Sequence, residues 1–322
     1  MNAQHLRPLR LGLLGASRVN ARIVAAATRL PDLVQIVALA SRDGDRARSE
    51  AARFSIPRSY GSYEGLLDAD DIDAVYIGLP NSLHLPWAQQ SILRSKHVLV
   101  EKPLSRNPEE VMRTFQMAEK ADVRVFEGLM FRYHQNTVRV LEVLQDGRLG
   151  RLKLIQAHFS FPLDRPSDVR LSSELDGGAV MDLGCYCIAA SRLFAGEPRS
   201  IFGTGVLTDS GVDRRASVTL VTADDVITRF DVDMTLQRHQ YLVAHCEEGR
   251  VEMLSPFHCA GGVYLTNSQG QRSVLSMDDT NPFDCELGAF IDEIANPLGA
   301  GRAQDAIDQA TVLQRVVAAV HQ

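Results

Sequence analysis

From Leu9 to Leu14 the chain is a short, nearly unbroken apolar run, and behind it apolar side chains recur at Val19, Ile23, Val24, Ala27 and Leu30. The unbroken run fits a strand buried on both faces, and the 3.6-residue spacing fits an amphipathic helix. A second apolar run, Leu33–Ala40, closes a strand–turn–helix–strand unit. The alternation continues through strand-like runs at Ala74–Leu79, His97–Val100 and Val123–Phe126. Helical stretches at Asp45–Phe54, Leu83–Arg94 and Pro108–Ala121 separate them. Asn107-Pro108-Glu109-Glu110 reads as a helix start, with proline at the first helical position and acids in the first turn. Residues 1–128 are therefore expected to form an α/β domain, a doubly wound parallel sheet covered by helices on both faces.

The pattern changes after Tyr133. One helix is expected from Asn136 to Gln145, ending at Asp146-Gly147. Apolar residues then alternate with polar ones along Ile155, Ala157, Phe159 and Phe161, and later along Val226, Thr228, Phe230, Val232 and Met234. Such alternation is an antiparallel-type signal, one face buried and one not. Turns fall at Ala223-Asp224-Asp225 and Glu248-Gly249, and two helices, Phe283–Ala295 and Ala303–His321, close the chain. Residues 129–322 are expected to be a separate α+β domain.

Composition narrows the field only modestly. With 322 residues, 45% of them apolar and 23% charged, the chain fits two ordinary globular domains. A net charge of −6 with no basic stripe argues against nucleic acid as a partner. The longest apolar stretches are strand-sized, so no membrane span is expected. The first eight residues, with His5 and Arg7, lead into no apolar signal core. Five cysteines, an odd number, fit a reducing compartment, and the expected location is the cytoplasm. Cys185 and Cys187 fall on one helix, where positions two apart point away from each other, so no metal site is expected there.

The turn after the first strand reads Gly15-Ala16-Ser17-Arg18-Val19-Asn20. In a strand–turn–helix unit, the helix N-terminus with its unpaired N–H groups faces a pyrophosphate. Two of the three glycines of the usual fingerprint are replaced by other residues, which leaves an ordinary βα turn as the alternative. At the tip of the second strand an acid would accept from the 2′-hydroxyl of NAD ribose. Ser41-Arg42 stand there instead, and a hydroxyl with a guanidinium suits a 2′-phosphate. NADP(H) is therefore the expected cofactor. Asp43 keeps NAD(H) as the alternative.

Four further residues carry candidate chemistry. The strand His97–Val100 runs into Glu101-Lys102-Pro103, and ligands of open α/β sheets bind at the carboxyl ends of strands. Lys102 is accordingly expected to face the nicotinamide. Asp182 and Tyr186, four apart after Asp176-Gly177-Gly178, share one face of an apolar helix running to Phe194. A structural hydrogen bond is the plainer account of that pair. Arg170 is a candidate either to anchor a hydroxyl-rich substrate or to form a salt bridge.

Read in order, Gly12-Leu-Leu-Gly15, Leu79-Pro80-Asn81-Ser-Leu-His84, Glu101-Lys102-Pro103, Glu127-Gly-Leu-Met-Phe-Arg132-Tyr133-His134 and Gly177-Gly178…Asp182-Leu-Gly184-Cys-Tyr186 resemble the glucose–fructose oxidoreductase/inositol dehydrogenase (Gfo/Idh/MocA) family. The resemblance extends to the Asn281-Pro282-Phe283…Glu286…Phe290 helix. It implies an N-terminal Rossmann domain and a C-terminal domain on a large open mixed, mostly antiparallel sheet. That sheet commonly packs on a second subunit, so a homodimer or homotetramer is expected. The resemblance also implies that Lys102 contacts substrate and nicotinamide, with the Lys–Pro bond often cis. Pro80, Asn81, His84 and Glu101 fall at the cofactor. Asp182 matches the aspartate of a D-x-G-x-H motif that orients substrate and lysine. Where that motif carries histidine this chain has Tyr186, a variant resembling the xylose dehydrogenase, dihydrodiol dehydrogenase, glucose–fructose oxidoreductase and nucleotide-sugar 3-ketoreductase branches.

The expected function is hydride transfer between NADP(H) and a sugar or polyol carbinol or carbonyl, as in an aldose dehydrogenase. Catalysis is expected from Lys102, Tyr186 and Asp182, with Arg170 and Tyr133 at the substrate. Gly15, Ala16, Ser17, Arg18, Val19, Ser41 and Arg42 join the four residues above at the cofactor. A phenol with an ordinary pKa of about 10 is a poor base at neutral pH, and a neighbouring ammonium would favour the phenolate. His134 is either part of the pocket floor or a satisfied core histidine. His158 and His239 have no assigned role. The alternatives are a nucleotide-sugar 3-ketoreductase and a non-catalytic NADP-sensing regulatory protein.

Overall fold

A computed structural model describes residues 7–165 and 167–322; most of the opening segment read for a signal core lies outside the described residues. The chain divides into two compact units. The first takes the described residues to 105, then 109–128 and 283–306, and the second takes 106–108, 129–282 and 307–322.

In the first unit strands and helices alternate: β1 (Leu9–Leu14), α1 (Asn20–Arg29), β2 (Val34–Ala40), α2 (Gly44–Arg53), β3 (Arg58–Tyr60) and α3 (Tyr63–Leu67). Then come β4 (Ala74–Ile77), α4 (His84–Ile92), β5 (His97–Glu101), α5 (Pro108–Lys120) and β6 (Val125–Gly128). The strands form one parallel sheet in the order β3-β2-β1-β4-β5-β6, the strand order of the dinucleotide-binding doubly wound fold. All four residues of β4 and the central three of β5 are fully buried, which explains their unbroken apolar sequence. The short β3 and α3 were not anticipated. Their few residues carry no period long enough to register, and α3 starts at a Ser62 cap whose hydroxyl accepts from Gly65 N–H.

The second unit holds α6 (Gln135–Gln145), β7 (Leu152–Ser160), α7 (Cys185–Ala195), β8 (Pro198–Leu207), β9 (Asp213–Thr222) and β10 (Ile227–Asp233). It continues with β11 (His239–Cys246), β12 (Gly249–Leu254), β13 (Val263–Asn267) and β14 (Arg272–Ser276). These strands make one sheet in the order β14-β13-β12-β11-β7-β10-β9-β8. The two strands singled out by alternation, β7 and β10, run parallel to each other with Phe230 opposite Ala157, while the other neighbouring strands of the sheet pair antiparallel. Alternation reports a sheet with one buried face and says nothing of direction. The long connection between β7 and β10, which includes α7, permits the parallel pairing.

Helix α7 covers the buried face and is itself buried from Cys185 to Arg192. Ser191 Oγ meets Thr228 Oγ1 of β10 at 2.7 Å. The buried Arg192 bonds Glu197 and Gln309, and Gln309 returns a bond to the Cys185 carbonyl. Two helices complete the chain: α8 (Pro282–Ala295), whose Phe290 stacks edge-on against Phe126 of β6 at 5.7 Å, and α9 (Ala300–Val320).

Candidate active site

The first unit gathers its candidate residues at one sheet edge. Because β1, β2, β4 and β5 are parallel, their carboxyl ends share that edge, and the chain continues there into Gly15, Ser41-Arg42, Pro80-Asn81 and Lys102 respectively.

The turn after β1 needs glycine at its first position. Gly15 has φ 101°, and a Cβ there would lie 2.7 Å from Leu79 Cδ2. Asn20 Nδ2 donates to the Gly15 carbonyl at 2.7 Å, and Ser17 Oγ donates to Asn20 Oδ1 at 2.8 Å, so side-chain bonds hold the turn that the missing glycines would have made supple. No side chain caps α1; the Asn20 amide donates to the Ser17 carbonyl at 3.3 Å, and the amides of Arg18 and Val19, just ahead of the helix, are the ones placed to meet a phosphate. Ala16 offers its carbonyl to Arg46 Nη2 at 2.6 Å.

At the end of β2, Ser41 is buried and its Oγ accepts from Asp43 N–H. Asp43 caps α2: its Oδ1 accepts from the amides of Asp45 and Arg46. Its structural duty thus accounts for the acid without a ribose. Arg42 is exposed beside Tyr63; burial raises the Tyr63 pKa and the Arg42 charge opposes the rise. Tyr63 and Arg46 were missed by sequence reasoning. The available signal was an arginine one helical turn after Ser41-Arg42.

Lys102 follows β5 and is half-buried, and the Lys102–Pro103 peptide is cis. Both sides of the next peptide are pinned. Leu104 N–H donates to Glu127 Oε1 at 2.8 Å, and Pro103 O lies 2.7 Å from His84 Nδ1. His84 Nε2 lies 2.8 Å from the Leu79 carbonyl, so this fully buried ring braces the ends of β4 and β5. Burial pushes its pKa down to about 4 against the pull of the two carbonyls, and the nearby Lys102 charge adds to the fall. A neutral His84 carries one N–H and so donates to one of the two carbonyls, the other lying against its bare nitrogen. Glu101 accepts from Tyr76 Oη at 2.6 Å.

In the second unit the Gly177-Gly178 pair is explained by crowding. Gly178 has φ 117°, and a Cβ there would run into the Asp213 carboxylate, which accepts from Val180 N–H at 2.7 Å. The chain then makes one π turn, Val180–Gly184, before α7, where a continuous α-helix was expected. Asp182 lies in that wider turn and Tyr186 in α7. Arg170 Nε donates to Asp182 Oδ2 at 2.6 Å and Arg170 Nη1 to Asp168 Oδ1 at 3.2 Å. The Asp182 charge raises the Arg170 pKa, burial opposing it. Tyr186 is 7% exposed among the rings of Phe131, Phe159 and Phe257, and its hydroxyl contacts Met130 Sδ at 3.5 Å. Tyr133 is half-buried at the end of a short 3-10 turn. His134 is a core histidine: Nδ1 caps α6 by accepting from Asn136 N–H, and Nε2 lies 2.8 Å from the Thr280 carbonyl.

Among the described residues no histidine, cysteine and carboxylate cluster could hold a metal, and all five cysteines are free. A pocket of about 350 Å³ lies on the outward face of the second sheet, lined by His158, Thr204, Arg215, Ser217 and Asp231; Arg170, Asp182 and Tyr186 do not line it.

A strand order of this kind is that of the doubly wound dinucleotide-binding fold, with Lys102 at one strand's carboxyl end. Residues 9–129 match the oxidoreductase family with an NAD-binding Rossmann fold, and residues 137–252 match the GFO/IDH/MocA C-terminal domain. The chain belongs to the Gfo/Idh/MocA oxidoreductase family. It is 36% identical to D-xylose 1-dehydrogenase (NADP(+)) 2 of Haloferax volcanii over 87% of each chain. It is also 36% identical to a trans-1,2-dihydrobenzene-1,2-diol dehydrogenase of Danio rerio, over 66% of this chain and 64% of that one. Among solved structures, KijD10, a 3-ketoreductase from Actinomadura kijaniata in complex with NADP and TDP-benzene, aligns with a TM-score of 0.90 at 27% identity over 98% of each chain. Solved forms of KijD10 include its Y186F and K102A variants.

Proposed function

We propose that this chain is an NADP(H)-dependent oxidoreductase that interconverts a carbinol and a carbonyl on a sugar or polyol, acting as an aldose dehydrogenase. The observation that carries the reading is the single sheet edge that offers an uncapped helix start after β1, Ser41-Arg42 after β2 and Lys102 after β5. The 36% identity to an NADP-dependent xylose dehydrogenase over most of both chains supports it. The amides after Gly15 receive the pyrophosphate, Ser41 and Arg42 the 2′-phosphate, and Pro80, Asn81 and Glu101 border the nicotinamide half. Bound NADP(H) supplies or takes up the hydride.

The protein's own part is to bind the sugar and handle the proton. Lys102 stabilises negative charge on the reacting oxygen. Tyr186 takes the hydroxyl proton during oxidation and returns it during reduction. Asp182, oriented by Arg170, accepts from a neighbouring sugar hydroxyl, and Tyr133 contacts the sugar. The test is reduction of NADP+ by purified protein across a panel of aldoses, inositols and dihydrodiols. Turnover with an aldose supports the reading, and inertness to the whole panel with cofactor bound contradicts it.

A second reading is favoured by the likeness to KijD10 and by 34% identity to a dTDP-3,4-didehydro-2,6-dideoxy-α-D-glucose 3-reductase over 63% of this chain. In it the enzyme works as a reductase on a nucleotide-linked keto sugar. NADPH oxidation with dTDP-linked keto sugars, set against NADP+ reduction with free aldoses, separates the two. A purely regulatory protein can dispense with Lys102, Asp182 and Tyr186, all of which are present.

Two further proposals accompany this. The outward face of the second sheet, with Phe202, Val206 and Leu236 exposed, is the surface on which a homo-oligomer forms. The five free cysteines favour a reducing compartment, the cytoplasm. No helix among the described residues is long and apolar enough to cross a membrane.

A further inference from the structure

Glu286 of α8 is 1% exposed, and neither of its carboxyl oxygens has a hydrogen-bond partner. A buried carboxylate without a cation or donor costs several kcal/mol, so such a group keeps its proton. The structure makes room for it. Gly128 of β6 pairs with Glu101 of β5, and a Cβ at Gly128 would lie 3.1 Å from Glu286 Oε1, 3.0 Å from the Val100 carbonyl and 3.6 Å from Glu101 Cα. The glycine therefore lets the Glu286 carboxyl reach the end of β5, immediately before Lys102.

The cations around α8 are engaged elsewhere. Arg29 of α1 pairs with Asp284, Arg22 lies over the Phe283 ring, and Arg302 of α9 bonds Glu293. The charge that acts on Glu286 is Glu101, which also accepts from the Tyr76 hydroxyl. Burial pushes the Glu286 pKa well above the usual glutamate range, and the Glu101 charge adds to the rise.

We propose that Glu286 is a positioning residue, held as the neutral acid, that donates its proton to Glu101 through one bridging water. The two carboxyls then share a single proton and carry one negative charge. That charge fixes the end of β5 and favours the ammonium form of Lys102. The inference rests on the reading of Lys102 as the residue that acts on the substrate oxygen, and it adds a buried acid pair behind that lysine.

The test uses Glu286→Gln, which keeps a donor but cannot titrate, and Glu286→Leu, which removes both properties. Infrared spectroscopy of the whole protein at neutral pH should show a protonated-carboxyl band that Glu286→Gln abolishes. This reading does not depend on turnover. In kinetics Glu286→Leu should lose roughly ten- to a hundredfold in kcat and shift the pH profile while NADP(H) affinity holds, and Glu286→Gln should restore most of the loss. Glu286→Gln should also exceed the wild type in Tm by a margin that widens as pH rises, because the folded wild type must hold or shed a proton that the unfolded chain has already lost. Absence of the band at neutral pH overturns the proposal, as do equal losses in both variants. Should Glu286→Leu fail to fold, the Glu286→Gln infrared and Tm readings decide. A wild type without sugar turnover but with the band refutes the functional reading and leaves the acid pair standing.

Discussion

Arg170 Nε donates to Asp182 Oδ2 across 2.6 Å, and the same guanidinium reaches Asp168. Asp182 is 9% exposed, and Arg170 is one of the groups that orient it. Arg170→Ala leaves a nearly buried carboxylate without its guanidinium. A fully buried pair broken this way costs about 3–5 kcal/mol, and the 38% exposure of the Arg170 side chain lowers the expectation to about 1–3 kcal/mol. Urea unfolding checks the value. Adding Asp182→Asn to Arg170→Ala should recover stability, because no charge is then stranded; a double variant as unstable as the single one shows that the pair matters through packing alone.

Ser41 and Arg42 make the cofactor preference testable at one position. Arg42→Ala removes the guanidinium proposed to meet the 2′-phosphate while Asp43 remains tied up as the cap of α2. NADP(H) affinity should fall by roughly ten- to a hundredfold, about 1.4–2.8 kcal/mol, and NAD(H) affinity should barely change. Titration by nucleotide fluorescence reads both. Equal losses for the two nucleotides would undo the assignment of Arg42.

His84 ties acid stability to the brace behind Lys102. Its folded pKa of about 4 lies below the ordinary 6.5. Between those values the unfolded chain binds a proton that the folded ring refuses, so stability is full above pH 6.5 and is lost as pH falls toward 4. The gap is worth roughly 3 kcal/mol. Denaturant unfolding across that range should show a flatter slope for His84→Asn than for the wild type. Identical slopes would mean that another group controls acid sensitivity.

Much of this architecture was legible because burial writes itself into periodicity. The strands from β1 to β6 with long apolar runs, and the helices between them, follow from residues such as Tyr76 and Val98 that no solvent reaches. The three-residue β3 and five-residue α3 left too short a trace. The parallel pairing of β7 with β10 was hidden because alternation reveals which face is buried and never which way the neighbour runs. At the site, Gly15, Ser41-Arg42 and Lys102 were readable as residue types at strand ends. Tyr63 and Arg46 were not, since their closeness to Arg42 and Ala16 exists only after folding. The π turn at Asp182 depends on Asp213, more than thirty residues away, which accepts from Val180 N–H where no local pattern points.

The central claim, that Tyr186 moves the proton while Lys102 stabilises the oxygen, is tested most directly by kcat for Tyr186→Phe in NADP+ reduction with the best aldose of the panel. Removal of one hydroxyl from a buried ring should preserve the fold and NADP+ affinity and lower kcat by roughly 100-fold or more. Turnover close to the wild type in that variant would contradict the account.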